Sequence, residues 1–234
     1  MMTPKVLAII TARGGSKRIP GKNLLQLGGK SLVELAVQSG QQSKLVSRIV
    51  LSTDDEQIAA AGRTAGAELP FMRPPGLASD IASSWDVVRH AVKWYEDNQG
   101  WTADIAVLLQ PSSPFRRAEH IDGTIQALLS SDASAALSVR QADLPLTWMY
   151  HLAADGALTS IGKMLDSTEA SVSTQKLYQP CGAVYAIRRE TLFQMRHFAD
   201  VPVVGYVMER IAAWDIDEWW EFKVAELLWE EVNP

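Results

Sequence analysis

A chain of 234 residues, 47% of them hydrophobic, carries enough apolar side chain for one α/β domain with a sizeable core, which excludes disorder over most of its length. Its net charge of −5 provides no global basic surface for nucleic acid or an anionic membrane, so cations gathered in one place are set against a local anion. A single cysteine, Cys181, excludes an intramolecular disulfide, and His90, His120, His151 and His197 are scattered without metal-ligand spacing.

The N-terminal apolar stretch lacks the length and cleavage pattern of a signal peptide, and no apolar run approaches the roughly 20 residues that span a bilayer. The expectation is a soluble, unprocessed protein of the reducing cytoplasm, with neither nucleic acid nor membrane as partner.

The first element is VLAII at 6 to 10, and further apolar runs follow: RIVLST at 48 to 53, DIAVLLQ at 104 to 110, SAALSV at 134 to 139 and GAVYAI at 182 to 187. Runs apolar throughout, rather than alternating, predict strands buried on both faces of a largely parallel sheet. Between them SLVELAVQSGQQ, DEQIAAAGRTAG, SSWDVVRHAVKWYED and AEHIDGTIQALLSS predict helices. Ser31, Asp55, Ser83 and Glu119 stand as N-caps or first-turn acids, and Gly66 and Gly100 mark stops. This alternation predicts a doubly wound α/β layer.

From 140 to 175 the pattern breaks into a polar stretch with one apolar patch and a turn at Asp155-Gly156, read as an insertion. It is either a hairpin reaching toward a partner subunit or a flexible lid. Beyond GAVYAI, the segments VPVVGYV and IAAWDID predict two more strands. A final helix is predicted over 217–231, with Trp220, Val224, Leu227 and Leu228 on one apolar face.

The loop after the first strand, ARGGSKRIPGKN at 12 to 23, holds Arg13, Lys17, Arg18 and Lys22 around Gly14 and Gly15. A glycine-rich loop between strand and helix presents backbone N–H groups to phosphate. It is not a P-loop, which needs G-x-x-x-x-G-K-S/T: Ser16 stands five before Gly21, and Asn23 follows Lys22. Nor is it the dinucleotide fingerprint, since Gly14-Gly15 leaves no residue between the glycines. Four cations fit a triphosphate and the charge that develops on a leaving pyrophosphate. A solvated basic turn is the plainer alternative, against which Ser16 and Asn23 add short hydrogen-bonding groups.

Three other stretches carry candidate chemistry. LLQPSSPFR at 108 to 116 presents Gln110 and Ser112 at the carboxyl edge of a strand, where α/β folds bind ligands. Arg73 precedes Pro74 and is held extended, within reach of a base, a phosphate or a surface acid. In WDID, Asp215 and Asp217 are expected to leave a strand end on the same side, where both could face one Mg²⁺ alongside substrate phosphates. Alternatively, Asp217 caps the last helix.

ARGGSKRIPGKN, STDDEQIA, RP followed by LASDIASS, LLQPSSPFR, GAVYAI and DIDEWWEF, in this order from residue 6 to about 230, resemble the acylneuraminate cytidylyltransferases and their relatives for other nine-carbon 2-keto acids. The resemblance implies a single domain over 1–234. Its fold would be a Rossmann-like nucleotidyltransferase three-layer sandwich with a mostly parallel sheet and a small dimerisation insertion at 140–175. It also implies a homodimer that uses CTP, a 2-keto sugar acid and Mg²⁺. On the matching positions, Arg13 and Lys22 contact the triphosphate, with Gly14, Gly15 and Ser16 holding phosphate. Asn23 lies at the cytosine end, Arg73, Ala82 and Ser84 surround base and ribose, Gln110 touches the sugar, and Asp215 and Asp217 bind the metal.

The sugar side departs from that pattern. Gln179-Pro180-Cys181-Gly182 stands where the family has Arg-x-Asn-Gly, Thr147 stands where a Lys follows Pro-Leu, and Ser171 to Gln175 lack a further Arg. Gln179 and Cys181 therefore mark the sugar pocket. Gln110 favours the sialic or legionaminic type over the pseudaminic type, and the opening loop differs from that of CMP-Kdo synthetases. A CTP-binding homologue without turnover is the remaining alternative.

Overall fold

The computed structural model describes residues 3–161 and 176–232. Its centre is a six-stranded sheet in the order β10-β6-β9-β5-β1-β4, from β1 (Val6–Thr11), β4 (Arg48–Ser52), β5 (Ile105–Leu109), β6 (Ala135–Gln141), β9 (Tyr178–Arg188) and β10 (Val203–Val207). Short pairs β2 (Gln26–Leu27) with β3 (Lys30–Ser31) and β7 (Tyr150–Leu152) with β8 (Leu158–Ser160) lie outside it. β1 pairs in parallel with β4 and β5, and β10 with β6, whereas β9 runs antiparallel to both β5 and β6.

β1 shows why its run is apolar throughout. Val6, Ala8 and Ile10 join a cluster with Val33 and Val37 of α1 (Leu32–Gln41), Ile58 of α2 (Glu56–Thr64) and Ile121 of α4 (Ala118–Leu129). Leu7 and Ile9 face the other way, onto Val88, Ala91 and Tyr95 of α3 (Ser84–Gln99). The result is the expected three-layer sandwich, in which each fully buried aliphatic side chain contributes about 1.5–3 kcal/mol.

The helix starts follow the predicted caps. Ser31 and Glu34 form a capping box on α1, Asp55 accepts from Gln57 N and Ile58 N, and Ser83 accepts from Trp85 N. Gly100 ends α3 in the left-handed region at φ 58°.

Two expectations are corrected. IAAWDID is not a strand: Ala213 N bonding back to Glu209 O and Trp214 N to Ile211 O coil the chain after β10 into turns. Its apolar residues Ala212, Ala213 and Ile216 are buried without a strand, Ala212 and Ala213 in the cluster that holds Val33 and Ile121, and Ile216 in the cluster that holds Ile19, Phe222 and Ala225. In the final helix, Trp219–Val232, the buried positions are Phe222 and Ala225, whereas Trp220 and Leu227 are exposed. Phe222, Ala225 and the partly buried Trp229 recur at helical spacing against Ile19, Leu27, Leu32 and Phe115.

The described part of the insertion contains the β7–β8 hairpin, turning at Asp155-Gly156 with Gly156 at φ 86°. Residues 162–175, including Ser171 to Gln175, lie outside the described residues. No helix among the described residues is long and apolar enough to cross a membrane.

Candidate active site

The carboxyl ends of β1, β4 and β5 open on one side of the sheet, and the basic loop crosses them. Ile19 is fully buried under the final helix and pins the loop's middle. Asp54 Oδ1 accepts from Gly14 N at 3.0 Å, and Asn23 Nδ2 donates to the Arg13 carbonyl at 2.9 Å, drawing the loop closed. A side chain on Gly14 would come within 2.7 Å of Asp55 Oδ2, so glycine is required where the loop passes the start of α2. Gly15 has open space around it.

The cations are paired two by two. Asp80, on the segment before α3, accepts from Arg13 Nη1 at 2.8 Å and from Lys17 Nζ at 2.5 Å. Asp217 accepts from Arg18 Nη2 at 3.0 Å and from Lys22 Nζ at 3.2 Å. Lys17 holds the Asp80 carboxyl below its usual range, with Arg13 assisting against partial desolvation. Two carboxylates thus hold four cations of a loop suited to an anion with several charges.

These groups line a cleft of about 590 Å³. It contains the predicted Arg13, Ser16, Lys22, Asn23, Arg73, Ala82, Ser84, Gln110 and Asp217. Ser84 is the first residue of α3, whose positive N-terminus therefore faces the cleft. Arg73 is buried, donating from Nε to Ser52 Oγ at 3.1 Å and from Nη2 to the Ser52 carbonyl at 2.5 Å. Burial lowers its pKa to about 10 despite the opposing pull of Asp54. It is anchored in the floor.

Asp215 and Asp217 do not leave a strand end side by side. They sit in the segment joining the turns to the final helix, tied to the QPSS loop by Ile216 N donating to the Ser112 carbonyl at 2.9 Å. Asp217 is partly exposed among its cations, whereas Asp215 is mostly buried and its Oδ1 is without a hydrogen-bond partner. Burial pushes the Asp215 carboxyl up, against a lowering hydrogen bond from Ser112, and Asp217 adds to the rise. Gly182, at φ 77°, makes room: a Cβ there would lie 3.0 Å from Gln110 Oε1 and 3.6 Å from Asp215 Oδ2.

An orphaned, buried, acidic oxygen beside a second carboxylate fits a hard divalent cation. Among the described residues there is no group of three or more His, Cys, Asp or Glu placed for a metal.

A second cleft, of about 560 Å³, shares Gln110 with the first and holds Asp215, Gln179, Cys181 and Gly182. The Cys181 thiol is buried, directed at Ser138 Oγ, 3.2 Å away, and Met208 Sδ, so this residue forms wall rather than a polar hand. Gln179, with its amide oxygen toward Arg140, accepts from Nη2 at 2.7 Å and Nε at 3.2 Å.

Sequence reasoning left three residues without a role. Asp54 fastens the loop, Asp80 counters it, and Arg116 braces the site from beneath. Arg116 is buried, donating from Nη1 to the carbonyls of Gln110 and Ala183 at 2.8 and 2.9 Å, and from Nε to Ser39 Oγ at 3.2 Å. Burial lowers its pKa to about 10, with Cys181 and Asp215 pulling the other way. Its signal was an arginine closing a run otherwise free of charge, LLQPSSPF.

A mostly parallel sheet between helical layers, with a basic loop after its first strand, is the Rossmann-like nucleotidyltransferase fold. A solved structure with this architecture, a CMP:2-keto-3-deoxy-manno-octonic acid synthetase complexed with CTP, superimposes with a TM-score of 0.70 at 19% identity, covering 97% of this chain and 99% of that one. The chain belongs to the cytidylyltransferase family, whose model matches residues 7–213 and ends just before Asp215. It is 29% identical to the N-acylneuraminate cytidylyltransferase of Escherichia coli O18:K1:H7 over 99% of its own length. It spans only about half of that relative, 54%. It is also 29% identical to the CMP-N,N'-diacetyllegionaminic acid synthase of Legionella pneumophila, with 97% of both chains covered.

Proposed function

We propose that this chain is a nucleotidyltransferase that couples CTP to a nine-carbon 2-keto sugar acid of the sialic or legionaminic type, giving CMP-sugar and pyrophosphate. The observation that carries this reading is the contiguity of two clefts through Gln110, with the loop cations in the first and Asp215, whose Oδ1 is orphaned, in the second. The family match and the relatives' names support the nucleotide and the class of acceptor.

In this reading the triphosphate displaces Asp80 from Arg13 and Lys17, and the loop N–H groups and the N-terminus of α3 receive the remaining phosphate charge. Ala82 and Ser84 border the base and ribose, while Arg73 shapes the floor. Gln110 orients the acceptor, whose anomeric 2-hydroxyl attacks the α-phosphorus in line. The bond from that phosphorus to the bridging oxygen breaks, and Arg13 and Lys22 stabilise the pyrophosphate as it leaves. Asp215 and Asp217 would hold Mg²⁺, which supplies charge neutralisation on the phosphates. No histidine lines either cleft among the described residues, and no side chain is assigned as general base.

The reading places the enzyme in the cytoplasm as a homodimer. Exposed Trp148, Tyr150, Leu152 and Leu158 on and beside the β7–β8 hairpin favour a covered arm over a solvated lid. Light scattering on the purified chain tests the dimer.

The activity is tested by incubating the protein with CTP, Mg²⁺ and a panel of eight- and nine-carbon 2-keto acids while following pyrophosphate. Release dependent on one acid is expected. Silence across the panel from a well-folded protein that still binds CTP would leave the alternative of a homologue without turnover.

A further inference from the structure

The acceptor-side cleft has one strongly charged wall that the nucleotide chemistry does not use. Arg140, at the end of β6, donates from Nη1 to Asp143 Oδ2 at 2.8 Å, and its Nη2 and Nε rest on the Gln179 amide oxygen. The other Asp143 oxygen takes Arg210 Nη2 at 3.1 Å. One carboxylate therefore gathers two guanidinium groups, and the wall keeps one uncompensated positive charge. Arg140 is mostly shielded, with a quarter of its side chain exposed, and Arg210 stands 80% exposed at the mouth. With five N–H donors each, both retain donors that these contacts leave unused.

Asp215, Glu221, Trp214, Trp220 and Tyr185 also line this cleft. An acid entering this cleft is attracted to the Arg140 and Arg210 guanidinium groups, which gives its carboxylate one preferred place. Gln179 occupies the position where the sequence departs from Arg-x-Asn-Gly, and the guanidinium it positions comes from the neighbouring strand.

We propose that Arg140 and Arg210, clasped by Asp143, form the subsite that receives the carboxylate of the acceptor and fixes its orientation. This rests on the sugar-acid reading above. A charge-assisted hydrogen bond of this kind corresponds to roughly a tenfold effect or more on affinity.

The test compares wild type with Arg140→Gln, Arg210→Gln and Arg140→Lys, using the acid that is turned over and its carboxamide. Wild type is expected to prefer the acid strongly. In Arg140→Gln and Arg210→Gln, KM for the acid rises about tenfold or more, KM for CTP stays within about twofold, and the preference for acid over amide falls by a similar factor. Arg140→Lys restores part of that preference, whereas a purely structural role would leave the ratio unmoved. An unchanged ratio in both glutamine variants overturns the proposal while the transferase reading stands. If wild type turns over no acid, quenching of tryptophan fluorescence by the panel acids still reports binding beside Trp214 and Trp220. Quenching lost in Arg140→Gln upholds the subsite although the transferase reading fails, and quenching retained overturns it.

Discussion

Lys22 Nζ donates to the Ile216 carbonyl at 2.8 Å and to Asp217 Oδ1 at 3.2 Å, joining the first loop of the chain to a segment 194 residues later. Its side chain is 17% exposed, so the contact is shielded from solvent on most sides. The same Asp217 also holds Arg18, which makes this carboxylate the point where the basic loop and the proposed metal site meet.

Asp217→Asn removes the charge while keeping the shape. Turnover is expected to fall by roughly a hundredfold, with more Mg²⁺ needed for half-maximal rate and an unchanged circular dichroism spectrum. Pyrophosphate release measured across a Mg²⁺ titration checks this, and full activity at low Mg²⁺ removes Asp217 from the site.

Arg13→Ala separates ground-state from transition-state contact. Arg13 already has a partner in Asp80, so its loss costs little in the resting protein, whereas charge on departing pyrophosphate has no other partner from that position. The expected fall in kcat is roughly tenfold to a hundredfold, larger than the weakening of CTP binding by calorimetry. An unchanged kcat with weaker binding reassigns Arg13 to ground-state recognition.

Asp80 competes with the triphosphate for Arg13 and Lys17. Asp80→Asn is therefore expected to tighten CTP binding by about threefold at low ionic strength, an advantage that shrinks as salt screens these exposed groups. Weaker CTP binding in the variant would instead make Asp80 a residue that positions the two cations.

Arg116→Leu tests the brace beneath the site. The carbonyls of Gln110 and Ala183 and the Ser39 hydroxyl lose a buried donor, which costs about 3 kcal/mol, read as a lower urea midpoint. Stability within about 0.5 kcal/mol of wild type would show that water replaces the guanidinium.

The helix starts were legible because each depends on a local side chain: Ser31, Asp55 and Ser83 cap the turns they precede. IAAWDID was not, since its Ala212 and Ala213 are buried in turns closed by Ala213 N to Glu209 O and Trp214 N to Ile211 O, and a short apolar run reads alike whether a strand or a turn buries it. The face of the last helix was misjudged for a related reason. Tryptophans and leucines on several sides permit more than one stripe, and the pocket formed by Ile19, Leu27, Leu32 and Phe115 selected Phe222 and Ala225.

The site divides in the same way. Loop composition and motif order, from ARGGSKRIPGKN to DIDEWWEF, determined the family and the clustering of four cations in one loop, because those depend on residue type and spacing along the chain. Which carboxylate holds which cation was decided only by folding: Asp80 approaches from the segment before α3, Asp217 from the far end of the chain, and Asp143 gathers Arg140 from β6 and Arg210 from the turn beyond β10. The physical reason is that electrostatic pairing and desolvation depend on distance through space, which separation in sequence does not record. Asp215 and Asp217 are two residues apart, yet one has a buried, orphaned oxygen and the other stands among cations.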